Sequence, residues 1–209
     1  MKPMHKSFRW ILSTVLATAA LLAQTPEEVK VDTPQAKASV LTLDPHHASA
    51  PREYPMKGIL VFLEPGQMTL TASSGKAEKI TFKAGDFHWI PSSGPYVSEN
   101  TGDRTFRLVE IGLKIAPAGP LPPTDMDPVK VDPQHYRVEF ENDQVRVLRV
   151  RYGPHEKGAL HEHKLNRVVC YITDHPGLKA GSVRVAGAAS HTEENASDQA
   201  VERVAVELK

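Results

Sequence analysis

Two stretches of this chain repeat one another, and the repetition limits the fold more than any single motif. Ala36, Ala38, Leu41 and Leu43 are followed by Pro45-His46. Val145, Val147, Val150 and Tyr152 are followed by Pro154-His155, at a constant offset of 109 residues. Apolar residues two apart mark strands with one face turned inward. Both copies slip by one residue after the second apolar position, which predicts a β-bulge at the same place in each. Lys83-Ala84-Gly85 is answered by Lys179-Ala180-Gly181, and Glu99-Asn100 with Asp103 by Glu194-Asn195 with Asp198. The closing strands, Val109 to Lys114 and Val204 to Lys209, correspond throughout. The order and phase of these matches describe one β unit used twice.

The copies are unequal. Twenty residues separate Phe62 from Lys83, but only seven separate Tyr171 from Lys179. The missing piece corresponds to Met68-Thr69-Leu70-Thr71 and Ile80-Thr81-Phe82, joined by Ser73-Ser74-Gly75-Lys76. The second copy therefore lacks about one hairpin, which leaves a sheet edge open or covered by the other copy. Between the copies, residues 117–133 hold Pro120-Leu121-Pro122-Pro123 and then Asp125, Asp127 and Asp132, the composition of an extended linker. Short apolar runs bounded by turn residues, with 17 Pro and 13 Gly, place the chain in the all-β class.

Residues 1–23 have the pattern of a secretory signal peptide. Lys2, Lys6 and Arg9 precede the apolar run Trp10 to Leu22, which is too short to span a bilayer, and Ala23 offers a small residue before Gln24. Retention of the segment as an N-terminal anchor is the other reading. Its removal leaves 22 basic against 25 acidic residues, with no basic cluster, which argues against a nucleic-acid partner. No later segment is apolar enough to cross a membrane. The protein is thus expected to be exported, to the periplasm or beyond the cell. Cys170 is the one cysteine and lies in the apolar strand 168–172, so a buried, inert thiol is expected rather than a nucleophile.

Chemistry concentrates in Gly158-Ala159-Leu160-His161-Glu162-His163. On a strand, His161 and His163 share a face and Glu162 looks the other way, so two imidazoles can close on one metal ion. His191 downstream could complete a three-nitrogen site. His46, His47, His88 and His135 are expected at the surface or the core edge. His175, after the strand of Cys170, is expected near a barrel mouth. Asn195-Ala196-Ser197 matches a glycosylation acceptor.

Taken together, Val145-Arg146-Val147-Leu148-Arg149-Val150, Pro154-x-Glu156-Lys157 and His161-x-His163 resemble the first cupin motif. Gly85-Asp86-x-x-Trp89-Ile90-Pro91 through Glu99-Asn100-Thr101-Gly102-Asp103 resembles the second. The resemblance implies two cupin-type antiparallel jelly-roll barrels in tandem, residues 24–116 and 134–209, the second shortened by about one hairpin. It also implies a divalent transition metal on His161, His163 and His191. The glutamate usual in cupins, four or five residues after the second histidine, is replaced by Arg167 or Val168, and Arg167 could orient an anionic substrate or repel the ion. In the first copy the offset puts Arg52 and Tyr54 at the histidine positions, with Tyr96 answering His191. That barrel is expected to be metal-free, its guanidinium and phenols either facing a small anion or sugar or merely packed.

Two functions stay open at this point. The protein is either a mononuclear metal cupin acting on a small anionic organic molecule, or a non-catalytic module that binds a sugar or organic acid without metal, with Arg52, Tyr54 and Tyr96 as its contacts. A purely structural role is the third reading, in which exposed sheet edges pair two chains into a homodimer.

Overall fold

A computed structural model describes residues 26–54 and 57–209; the segment 1–23 read as a signal peptide lies outside the described residues. The first half contributes β1 (Glu27–Asp32), β2 (Ala36–Leu43), β3 (Arg52–Tyr54), β4 (Gly58–Phe62), β5 (Gly66–Ala72), β6 (Ala77–Phe82), β7 (Phe87–Ile90), β8 (Gly94–Asn100) and β9 (Phe106–Leu113). A short helix, α1 (Pro128–Val131), precedes the second half. The second half contributes β10 (Tyr136–Glu141), β11 (Val145–Tyr152), β12 (His161–His163), β13 (Arg167–Tyr171), β14 (Val183–Ala186), β15 (Ala189–His191) and β16 (Val201–Leu208).

Each half is built on a five-stranded antiparallel sheet, ordered β1-β2-β9-β4-β7 in the first and β10-β11-β16-β13-β14 in the second. The two orders are the same topology. The smaller sheet is β3-β8-β5-β6 in the first half but only β12-β15 in the second, so the hairpin β5–β6 is the piece that the second half lacks. The edge that β5 covers in the first half is carried by β15, where Ala189 and Ser190 are exposed.

The duplication extends to single residues. His46 and His155 both take a left-handed backbone with φ 58°. Nε2 of His46 lies 3.0 Å from Asp103, and Nε2 of His155 lies 2.7 Å from Asp198. The Asn100 amide donates to Leu43 and Arg104 carbonyls, and the buried Asn195 amide donates to those of Gly153 and Gln199. Asn195 therefore has the same structural role in its half as Asn100.

The bulge expected in the first long strand of each copy is not there. β2 pairs with β9 without a break from Ala36↔Leu113 to Leu43↔Phe106, and β11 pairs with β16 from Val145↔Leu208 to Tyr152↔Val201. The register shifts instead on the neighbouring strands, between Val29 and Val31 in β1 and between Val138 and Phe140 in β10. The slip in apolar phase has another cause: these strands are buried on both faces. Ala36, Ala38 and Val40 point to one cluster, while Leu41 and Leu43 point to another; Val145 and Val147 divide from Leu148, Val150 and Tyr152 in the same way.

The first of those clusters is shared. It joins Ile59, Val61, Val109 and Ile111 of one half to Val145, Val147, Val168, Val204 and Val206 of the other, so the outer faces of the two five-stranded sheets pack together. Phe140 closes its rim against Phe87 and Trp89 at ring separations of 6.0 and 5.6 Å. Polar contacts cross the same boundary, from Arg149 Nη2 to the Gly85 carbonyl at 2.7 Å and from Asn166 Nδ2 to Gln35 Oε1 at 2.6 Å. The remaining clusters fill the two barrel interiors.

The stretch 117–133, expected to be extended throughout, ends in α1. Asp127 caps it, its side chain accepting from Val129 N–H at 3.0 Å, and proline at the start suits a first turn whose N–H needs no partner. Among the described residues no helix is long and apolar enough to cross a membrane.

Ile111 is fully buried in the shared cluster, so Ile111→Ala should cost roughly 2–5 kcal/mol. Urea should then strip amide protection from β4 and β13 together. Loss at two separate midpoints would show that the halves do not depend on this contact.

Candidate metal centre

β12 has only three residues, and strand alternation sorts them by chemistry. His161 and His163 are 0% and 3% exposed, whereas Glu162 faces outward and accepts from Thr124 and Lys164. β15 pairs with β12 in the register His161↔His191, which brings the third ring across the strand. Ring centroids are 5.1 Å apart for His161–His163, 4.5 Å for His161–His191 and 5.4 Å for His163–His191. One nitrogen from each ring lies within 4.8 Å of the other two, so the three can converge on a single ion. All three expected ligands are thus brought together.

Hydrogen bonds set which nitrogen the His161 and His163 rings offer. His161 Nδ1 lies 2.9 Å from the Ala159 carbonyl, which can only accept, so the proton is on Nδ1 and the lone pair on Nε2. His163 Nδ1 lies 2.7 Å from Glu207 Oε1. Burial alone would raise the Glu207 carboxyl, but His163 and Arg146 hold it below the usual range; as a carboxylate it fixes the proton on Nδ1 of His163. Among the described residues, Nε2 of His161 is buried with no partner, and the buried Nε2 of His191 has a long contact of 3.4 Å to Glu193 Oε1. Leaving such an atom unsatisfied costs about 1–3 kcal/mol, and a cation between the rings would remove that cost. The donor set fits a metal ion.

A shell of charge surrounds the rings. Glu207 also accepts from Arg146 Nε at 2.6 Å, and Arg146 Nη1 donates to Asp127 at 2.7 Å. Glu193 accepts from Tyr136 Oη at 2.7 Å, pairs with Arg203 and lies 3.4 Å from His191 Nε2. Burial would raise the Glu193 carboxyl, but His191, Arg203 and Tyr136 hold it far below the usual range. Burial lowers both His161 and His163 from the ordinary imidazole value.

No family model matches the chain, and no curated protein matches its sequence. Solved structures do match its shape. A cupin 2 conserved barrel domain protein from Leptotrichia buccalis covers 90% of this chain and 90% of its own, with TM-score 0.57 at 14% identity. A variant oxalate decarboxylase from Bacillus subtilis covers 89% of this chain and 74% of its own, with TM-score 0.61 at 12% identity. A vicilin from hazelnut, Corylus avellana, covers 87% and 83%, with TM-score 0.57 at 14% identity. The chain shares the fold of these structures, a cupin barrel fold.

Within that fold, Arg167 opens β13, where the cupin glutamate was expected. It is 6% exposed and donates to the Gly187 carbonyl at 2.8 Å; among the described residues no carboxylate pairs with it. With Tyr136, His163, Glu193 and Arg203 it lines a cavity of about 20 Å³, room for one water-sized occupant. Arg167 thus lies inside the barrel, not at its mouth. A larger cavity of about 230 Å³ lies beside it, lined by Tyr152, His175, Glu194 and Val201 and sharing Glu193 and Arg203 as walls.

The first cupin half is filled differently. Arg52 donates to Glu110 at 2.8 Å and pairs with Glu27 at 2.8 Å, which neutralises its guanidinium. Tyr54 is 1% exposed and meets Tyr96 edge to face at 5.7 Å, and the Tyr96 hydroxyl bonds Ser92 at 2.6 Å. The three residues are near one another, but the Arg52 guanidinium and the Tyr96 hydroxyl are engaged within the protein. Cys170 is fully buried, and burial pushes its thiol up to about 12.

Sequence reasoning missed Glu207, Glu193, Arg146 and Arg203. Two of them carried a signal: Arg203 and Glu207 alternate with Val204, Val206 and Leu208 in β16, and a strand buried on both faces puts them inside.

Depressed histidines make an acid-sensitive fold. The native state binds fewer protons than the unfolded chain, so stability is complete above about pH 6.5 and is lost as pH falls toward the lowered native values. Melting temperatures in chelator between about pH 8 and 5 should show this fall, and His161→Ala/His163→Ala should flatten it. An equal slope in the variant would assign the acid sensitivity elsewhere.

Proposed function

We propose that the second cupin half holds one divalent transition-metal ion on His161, His163 and His191 and acts on a small anionic molecule beside it. The observation that carries this reading is the buried, unpartnered Nε2 of His161, with the His191 ring 4.5 Å across the strand and the His163 ring beside it oriented by Glu207. Imidazole donors suit Zn, Cu, Fe or Ni, with Mn also within reach of such a site. When bound, the ion would supply Lewis-acid polarisation or oxygen activation.

The chain's own residues do the rest. Glu207 holds the His163 proton on Nδ1 and keeps its other nitrogen turned to the centre. Three neutral imidazoles carry no charge against a divalent ion, Glu193 and Glu207 are matched by Arg203 and Arg146, and Arg167 adds another cation without a carboxylate of its own. The ion and Arg167 favour an anion between them. The proposal extends to export of the protein after loss of residues 1–23, and to two domains divided at 117–133.

A second reading, a binding module without catalysis or metal, draws on cavity size. The space of about 230 Å³ beside His175 and Arg203 could take a few-carbon acid or sugar with no ion present, and it shares Glu193 and Arg203 with the inner space of about 20 Å³ at the histidines.

Elemental analysis of the purified full chain tests the two. The metal reading expects about one transition-metal ion per chain, lost in His161→Ala/His163→Ala. Protein that stays metal-free after incubation with each of these ions would leave the binding module standing. Thermal stabilisation by small organic acids should vanish with chelator in the first case and persist in the second.

A further inference from the structure

The segment between the two halves is more than a connection. Resting on the metal reading above, we propose that Asp127 and Asp132, both from the segment expected to be a linker, are positioning residues for the centre. Each supports one of the paired histidines through a short relay.

The first relay begins at the helix cap. Asp127 Oδ1 accepts from Val129 N–H at 3.0 Å, and its other oxygen accepts from Arg146 Nη1 at 2.7 Å. Arg146, 5% exposed, donates Nε–H to Glu207 at 2.6 Å, and Glu207 accepts from His163 Nδ1–H at 2.7 Å. Without Asp127 the Arg146 guanidinium would keep one carboxylate and be drawn toward it, moving the group that orients His163.

The second relay runs through the backbone before β12. Asp132 is 6% exposed and uses both oxygens: Oδ1 faces His135 Nδ1 at 2.6 Å, and Oδ2 accepts from Ala159 N–H at 3.1 Å. The carbonyl of that same Ala159 accepts from His161 Nδ1 at 2.9 Å. Gly158 is required here, since a Cβ would collide with Asp132 Oδ2 and the Tyr152 hydroxyl. The aspartate therefore holds the residue whose carbonyl fixes the ring.

The outer edge of β12 is tied to the same segment, with Glu162 N–H donating to the Met126 carbonyl at 2.7 Å and Thr124 Oγ1 donating to Glu162 at 2.7 Å. These bonds hold the strand but lead to no histidine, so they separate docking from positioning.

The test compares the full chain with Asp127→Asn, Asp132→Asn and Thr124→Ala. Metal affinity is measured by chelator competition, and the visible spectrum is recorded with cobalt(II) as the probe ion. Asparagine still caps α1 but removes the charge from Arg146; at 132 it has one accepting oxygen where two are used. Both variants should bind about tenfold more weakly, with an altered cobalt spectrum. Thr124→Ala should match the parent in both readouts. Unchanged affinity and spectrum in both aspartate variants overturn the inference while leaving the metal reading intact. A parent protein that takes up no metal removes both. Should Asp132→Asn fail to fold, Asp127→Asn, with its cap retained, decides.

Discussion

The structure depends on the contact between the outer faces of the two five-stranded sheets. A strand that is apolar on both sides loses its alternation, and β2 and β11 show this, dividing their side chains between a barrel interior and the shared core. The shared core is the largest of the three clusters, and the interior of the second half is the smallest. That distribution bears on the chemistry. Buried ions and unpaired imidazoles are costly, and the half that carries them is held by apolar burial on its other side.

Duplication followed by divergence describes the two interiors. In the first, Tyr54, Tyr96 and Leu108 fill space beneath the hairpin β5–β6, with Met68, Leu70 and Phe82 completing an apolar filling. In the second, His163, His191 and Arg203 occupy the matching register positions and the hairpin is gone. Shape alone does not assign an activity. The same fold is found in a protein described as an oxalate decarboxylase and in one described as a vicilin, so function rests on the site.

Much of the scaffold was legible in the residues. The offset between copies, the lost hairpin and the equivalence of Arg52, Tyr54 and Tyr96 with the three histidines all appear in the register of the sheets. The bulge was misplaced because a one-residue slip in an apolar pattern has two physical causes, an extra residue or a change of buried face, and the pattern does not distinguish them. Asp127 and Asp132 fall in a stretch whose prolines and acidic residues read as an extended linker. Nothing local shows that they fold back onto β12.

By itself, the sequence determined the class, the duplication and the histidine triad, because strand periodicity and motif spacing are short-range properties. Tertiary structure alone decided that Glu207 meets His163, that Arg167 lies inside, and that the linker reaches the centre. Those contacts join residues up to 61 positions apart, as Arg146 and Glu207 are, and such partners are chosen by how the sheets pack rather than by neighbouring residues.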